Sequence, residues 1–366
     1  MNREAARLAL AFSFVPGAGP ILFKRSLEML GSCEALLKAS GADLAQVDRM
    51  PRSFVEAWKN KKEYLSRADR EIELAESRRI RILTLLDEDY PESLRTIYDP
   101  PAVLFIRGTF ASAPSCLAIV GSRETTHYGE KAAYDFAAEF SKAGAVVVSG
   151  LAKGIDSAAH QGVLAVNGVT WAVLGGGILN SGSYRSPKLA EQILEKGAIL
   201  SEYPLMESPR PEYYPRRNRI VSGLSSAVVV IEAGRQSGAL ITAGLALEQG
   251  RDVFAVPANI DSVYSEGSNW LLRQGAKLAG SAQDVLGDLG LIGITPTTPS
   301  FNFDLLTEGE RKMFRSLSPK KPLHLDDWIE QSGYPSAEAL SLIGALLLKG
   351  VVVEKPGKYY AAERTR

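Results

Sequence analysis

Cys116-Leu-Ala-Ile-Val-Gly-Ser-Arg123 is a short apolar run that ends abruptly in two small residues and a cation. An apolar stretch with no polar alternation suits a strand buried on both faces. The pattern returns at Ala145-Val-Val-Val148, Thr170-Trp-Ala-Val-Leu174, Ala198-Ile-Leu200, Ala227-Val-Val-Val-Ile231 and Asp252-Val-Phe-Ala-Val256. Several of the intervening stretches are long enough for crossover helices. The spacing therefore predicts an α/β core with a mostly parallel sheet covered on both sides.

The flanks have a different character. Residues 1 to about 79 read as helices with short joints, the first being Val15-Pro-Gly-Ala-Gly-Pro20. That joint suits a tight turn, and its glycines would also let backbone approach a nucleic-acid phosphate. The charges between 60 and 79 alternate in sign, as on a solvated face or spacer. Gly290, Gly293, Pro296 and Pro299 mark a linker. Helical patterns follow at 307–317, 324–332 and 336–348, and Gly350-Val-Val-Val-Glu-Lys-Pro-Gly-Lys-Tyr-Tyr360 reads as a hairpin turning at Pro356-Gly357. Between 336 and 349 the only charges are Glu338 and Lys349, which favours packing or protein contact over DNA reading by that helix. The expected organisation is a helical domain over 1–80, a Rossmann-like domain over 81–288, a linker over 289–304 and a small winged-helix domain over 305–366.

Composition narrows the function. A chain of 366 residues, at roughly 150 per domain, suggests two or three domains. Forty-two basic residues balance 42 acidic ones, which excludes a highly basic packaging protein and leaves room for a local phosphate site. Cys33 and Cys116 are too few for a disulfide framework, and no CxxC pair offers structural zinc. The N-terminus lacks a convincing signal-peptide cleavage site, and no apolar run is long enough to span a membrane. A cytoplasmic protein is expected.

Four clusters carry candidate chemistry. After the first strand, the backbone around Gly121 and Ser122 is suited to cradle phosphate while Arg123 supplies a charged fork. Neither GxGxxG nor GxxxxGK[ST] is present, so dinucleotide and ATP binding lose their usual support. The second cluster is Ser149-Gly-Leu-Ala-Lys-Gly-Ile-Asp156, where Ser149, Gly150 and Gly154 leave the backbone open near a helix start and Lys153 adds charge. Asp156 suits a helix cap or a ligand contact. Ligands of open parallel sheets sit beyond the carboxyl ends of the strands, which brings these two loops to one rim. Third, Tyr213-Tyr-Pro-Arg-Arg-Asn-Arg-Ile220 places Arg216, Arg217 and Arg219 around Asn218, with tyrosines available to stack on bases. Adjacent helical positions point apart, so some of these arginines are expected to meet acidic partners inside the fold. The fourth cluster, Glu232-Ala-Gly-Arg-Gln-Ser-Gly-Ala-Leu-Ile-Thr242, offers Ser237, Gly238 and Thr242 at another helix start. Glu232 reads as an orienting group or, less simply, a catalytic acid. His127, His160 and His324 are scattered and form no metal or triad signature.

Together these motifs closely resemble the DNA-processing protein A family, also called DprA or Smf. The resemblance runs through Gly121-Ser-Arg123, Ser149–Asp156, Tyr214-Pro-Arg-Arg-Asn-Arg-Ile220, Ser237–Thr242 and Ser265-Glu-Gly-Ser-Asn-Trp270, in that order, and extends over nearly the full chain. It implies a cytoplasmic protein that binds single-stranded DNA, shields incoming strands during natural transformation, and helps load the RecA recombinase. It also implies a homodimer formed through the Rossmann-like domain, a SAM-like helical module at the N-terminus and a variable winged-helix appendage. Arg123 and Lys153 become the leading DNA contacts, with Arg217, Asn218 and Arg219 as further pocket residues. No catalytic residue, cofactor or metal is expected. Two departures bear on loop geometry: Arg185 follows Tyr184 where the family usually has proline, and Ala258 follows Val256-Pro where it commonly has glycine. The residues leave open a nucleotide-processing hydrolase using the same pocket, and an interaction scaffold that does not touch nucleic acid.

Overall fold

A computed structural model describes residues 3–111, 113, 115–291, 306–317, 322–349, 351–355 and 357–362. The chain divides into two compact units, Met1–Ile294 and Thr295–Arg366.

The first unit opens with six helices, α1 (Arg3–Ser13), α2 (Pro20–Leu30), α3 (Cys33–Lys38), α4 (Gly41–Leu44), α5 (Arg52–Trp58) and α6 (Lys61–Ser77). The Val15–Pro20 joint is a turn, with Gly17 at φ +81° and the Ala18 amide donating to the Val15 carbonyl over 3.0 Å. The sheet and its helices follow as β1 (Arg81–Thr84), α7 (Glu92–Arg95), β2 (Val103–Gly108), β3 (Cys116–Val120), α8 (His127–Lys142), β4 (Val146–Ser149), α9 (Ile155–Ala165), β5 (Thr170–Val173), α10 (Pro187–Leu194) and β6 (Ala198–Ser201). The remainder is α11 (Tyr213–Leu224), β7 (Ala227–Val230), α12 (Gly238–Glu248), β8 (Asp252–Ala255), α13 (Glu266–Arg273), β9 (Lys277–Leu278) and α14 (Ala282–Asp288).

The strands lie in the order β1-β2-β6-β5-β4-β3-β7-β8-β9. From β6 to β9 every pairing is parallel, and β2 joins β6 antiparallel with β1 outside it. The apolar runs are thus the central strands, as expected, while Val103-Leu-Phe-Ile106 of β2 is a comparable apolar run that the sequence reading did not single out. Alternation sorts each strand's residues between two cores. Leu117 and Ile119 face a layer built from Phe136, Phe140, Ile155 and Val163 of α8 and α9. Ala118 and Val120 face Ile220, Val221, Ala239 and Ala243 of α11 and α12.

The boundary expected at residue 80 is a change of secondary structure and not a gap in packing. Phe12, Phe54 and Trp58 of the helical segment share one buried cluster with Ile82, Phe105 and Ile199 of the sheet. Burial of such side chains contributes on the order of 2 kcal/mol each, enough to bind the segments into one unit.

The second unit contains α15 (Glu308–Arg315), β10 (Leu323–His324), α16 (Leu325–Ser332), α17 (Ser336–Leu348), β11 (Val352–Lys355) and β12 (Tyr359–Ala362). Its strands form an antiparallel sheet in the order β10-β12-β11. Trp328 is its buried anchor, donating from Nε1 to the Met313 carbonyl at 3.0 Å. The expected terminal hairpin is β11–β12. Pro356 of its turn, and residues 292–304 of the expected linker, lie outside the described residues.

His160 sits on α9 with no exposed surface. The Thr170 hydroxyl donates to the Val147 carbonyl at 2.7 Å, so it accepts the proton on His160 Nδ1 across 2.7 Å. Burial, followed by the positive field of Arg217, pushes this imidazole down to about 3. In the unfolded chain it titrates near 6.5, so the unfolded state binds more protons between those values. Stability is expected to fall as pH drops from about 6.5 towards 3, with His160 contributing a slope of up to ~1.4 kcal/mol per pH unit. An imidazole NMR titration showing His160 protonated at pH 5 in the folded protein would contradict this assignment.

Candidate nucleic-acid interface

At the centre of the sheet, the chain leaves β3 and β7 in opposite directions. β3 continues through α8 to β4 on one side, and β7 through α12 to β8 on the other. Adjacent loops that part in this way open a crevice at the carboxyl ends of the strands. The crevice here is a cleft of about 790 Å³, lined among others by Gly121, Ser122, Arg123, Gly150, Ser237 and Gly238.

The cleft walls are held by contacts between loops. The Ser122 amide donates to the Glu232 carbonyl at 2.7 Å, stitching the end of β3 to the end of β7. The Glu232 carboxylate accepts from the Thr125 hydroxyl (2.6 Å), the Thr126 amide (2.9 Å) and the Thr126 hydroxyl (2.7 Å). Thr126 in turn caps α8. Glu232 is buried and orients the loop after β3, the structural of its two expected roles.

The Ser149–Asp156 loop is equally constrained. Gly154 has φ +82°, and a Cβ there would fall 2.5 Å from the Ser122 carbonyl oxygen and 2.8 Å from that of Arg123. At Gly150 a Cβ would meet the Arg217 guanidinium. Leu151 adopts φ +55°, a conformation that costs energy for a branched residue and marks a loop fixed by its surroundings. Asp156 lies in the first turn of α9 and accepts weakly from the Ala152 amide at 3.3 Å while also lining the cleft. Burial raises its carboxyl above the ordinary carboxylate range, with the Arg217 charge opposing.

α11 distributes its three arginines in three directions, as a rotation of about 100° per residue requires. Arg217 is largely buried yet lines the cleft, and its Nη1 donates to the Val173 carbonyl. Arg216 is half-exposed, with its Nε 3.9 Å from Glu202. Arg219 corrects the expectation that it reaches the pocket. Its Nε donates to Asp99 at 2.8 Å and its Nη2 to Glu202 at 2.6 Å, and only 3% of the side chain is exposed. It is the internal ion pair that the crowded arginine cluster foreshadowed. Asn218 lines the cleft, and its amide donates to the Gly238 carbonyl at 3.4 Å.

Three other expected contacts also stand apart. Ser149 is buried and donates its hydroxyl to the Ile119 carbonyl at 2.7 Å, tying β4 to β3. Lys153 and Gly154 belong to the same loop but are absent from the cleft wall, with Lys153 exposed to solvent. Ser237 caps α12 through the Ala239 amide, and Thr242 lies one turn further along. Both line the cleft, as does Gly238.

The tyrosines separate as well. Tyr213 stacks on Tyr203 with ring centroids 4.0 Å apart and donates its hydroxyl to Glu207 at 3.0 Å, so it is occupied inside the protein. Tyr214 reaches the cleft and carries the Arg123 guanidinium over its ring at 4.9 Å. That stacking aims the Arg123 fork without consuming its donors.

Sequence reasoning missed Arg185, Ile241, Val263 and Tyr264, which also line the cleft. Val263 and Tyr264 come from the connection between β8 and α13, whose path no local pattern specifies. Among the described residues, no group of three or more His, Cys, Asp or Glu side chains is placed to hold a metal ion, and no helix is long and apolar enough to cross a membrane.

Comparison with known proteins agrees with this architecture. The DNA recombination-mediator protein A family model matches residues 81–290. Protein Smf of Escherichia coli (strain K12) is 39% identical over 285 residues, covering 76% of this chain and 76% of that protein. The DNA processing protein DprA of Bacillus subtilis (strain 168) is 40% identical over 222 residues, covering 60% of this chain and 75% of the relative. The X-ray structure of DNA processing protein A from Streptococcus pneumoniae superposes with a TM-score of 0.64 at 33% identity, covering 79% of this chain and 98% of that one. A structure of DNA processing protein A from Helicobacter pylori, which concerns that protein's single-stranded DNA binding mode, gives a TM-score of 0.51 at 29% identity and covers 57% of this chain and 95% of that one. The matched segment contains the whole cleft and the sheet beneath it, and the chain belongs to the DNA recombination-mediator protein A family.

Proposed function

We propose that this protein binds single-stranded DNA in the central cleft and acts as a recombination mediator. The observation that carries the reading is the convergence of Arg123, the Gly121–Ser122 backbone and the N-terminus of α12 on one crevice. Helix N-termini and guanidinium forks are suited to phosphate, and the narrow requirement is for a backbone, not a base sequence. Lys153, exposed on the adjoining loop, extends the positive surface to a neighbouring phosphate. Arg217 adds its charge at the cleft, in space that only a glycine at 150 leaves open.

Strand binding proceeds without bond cleavage, cofactor or metal. In this reading the bound strand is protected during transformation and passed to RecA in the cytoplasm. A homodimer through the Rossmann-like domain holds two stretches of DNA close together. The helices before residue 80 serve as the SAM-like module, and the unit after residue 305 as a winged-helix appendage. Glu232 is absent from the cleft wall and its carboxylate is engaged by three donors, which weighs against the hydrolase.

Fluorescence anisotropy with matched single-stranded and duplex DNA across several salt concentrations tests the site. Single strands are expected to bind selectively, and Arg123→Ala and Lys153→Ala to weaken binding by about tenfold each, with a shallower salt dependence. Equal affinity for duplex, or wild-type affinity in both variants, would remove the cleft from consideration as the DNA site.

A further inference from the structure

The cleft is lined by two unlike sets of residues, and phosphate accounts for one of them. The same cleft is also lined by Ile241 of α12 and by Val263 and Tyr264 of the β8–α13 connection. Their exposures are 46%, 65% and 38%, high for large apolar side chains. The connection carrying Val263 and Tyr264 leans on the loop after β7, since a Cβ on Gly234 would lie 3.2 Å from the Val263 carbonyl oxygen. Such a grouping beside a polar rim marks a binding surface when a ligand of matching polarity exists.

We infer that Ile241, Val263 and Tyr264 form a wall against which an unstacked nucleobase lies while its phosphate occupies the amide and guanidinium side. The inference rests on the single-stranded DNA reading of the cleft and specifies how the strand is oriented within it. A nucleotide has one anionic end and one flat, weakly polar end, and the cleft offers complementary surfaces to both. The volume of about 790 Å³ accommodates both ends together. The tyrosines nearer the arginine cluster do not compete for this role. Tyr213 is stacked on Tyr203, and the Tyr214 ring is covered by Arg123. Tyr264 thus supplies an aromatic face at the cleft beside that of Tyr214, and stacking on it tolerates any base.

The test separates base from backbone by comparing an oligothymidine with a strand of equal length built from abasic sites. Wild type is expected to bind the oligothymidine about 5- to 100-fold more tightly. Tyr264→Ala is expected to remove most of that difference while leaving abasic-strand affinity and its salt slope unchanged. Tyr264→Phe, which keeps the ring, is expected to retain it. Arg123→Ala serves as the contrast, weakening both strands. Equal wild-type affinity for the two strands, or a base preference that Tyr264→Ala leaves intact, overturns the wall. Failure of wild type to bind either strand overturns the DNA reading itself, and the wall with it.

Discussion

Replacing Arg219 with alanine is expected to destabilise the protein by about 3–5 kcal/mol, the usual consequence of leaving a buried partner charge uncompensated. Only 9% of the Glu202 side chain is exposed, and Arg219 supplies its closest cation at 2.6 Å. The same guanidinium reaches Asp99, which precedes β2, and therefore clamps α11 to the edge of the sheet. Burial alone would lower the Arg219 pKa, but the two carboxylates outweigh it and raise it above its ordinary value. Adding Glu202→Gln to Arg219→Ala is expected to recover part of the loss, because the stranded charge is then gone. Denaturant unfolding of the single and double variants measures this. A loss below about 1 kcal/mol in Arg219→Ala would mean that the pair behaves like an exposed one.

The second large effect is expected at Gly154. An alanine there must adopt a backbone conformation nearly reserved for glycine, at about 1–3 kcal/mol, and its methyl would press on the Ser122 and Arg123 carbonyls. Since those residues shape the phosphate side, single-stranded DNA affinity is expected to fall by about 10- to 100-fold. Gly144→Ala is the control. Gly144 has the same φ of +82°, but nothing lies within 4 Å of where its Cβ would be. Thermal unfolding is expected to show destabilisation in both variants, whereas anisotropy separates them, with Gly144→Ala binding as wild type does. Parallel losses of affinity would assign the effect to general instability.

Local pattern was enough to place the central sheet, because Leu117-Ala-Ile-Val120 and its counterparts are buried on both faces and have no other stable setting. The outer strands were harder to see. Arg81–Thr84 is exposed at its first residue, whereas Val103-Leu-Phe-Ile106 of β2 is a buried apolar run as long as some of the central ones and went unread, and only its antiparallel pairing with β6 is left to tertiary contacts. The loops at Gly121 and Gly150 were legible as one rim from strand topology alone. What stayed hidden was direction. Arg217 and Arg219 are two residues apart, yet one lines the cleft and the other is held by Asp99 and Glu202, carboxylates distant in sequence. Ser149 looked accessible beside Gly150 but its alternating position in β4 turns it inward to Ile119. Ile241 and Tyr264 could be recognised only once helix and loop stood side by side.

The stitch between β3 and β7 also sets when the protein becomes competent during its synthesis. Thr125 and Glu232 are 107 positions apart, and the amide of Ser122 closes on the carbonyl of the same distant glutamate. A nascent chain that has emerged only as far as α9 can pair β3 with β4, yet it has just one shore of the cleft. Joining the other shore requires loop closure over the whole intervening segment, which places cleft assembly among the late, non-local events of folding. Polysome-bound chains truncated before β7 should therefore pass through synthesis without capturing stray single strands, and the activity should arrive abruptly as the centre of the sheet is completed.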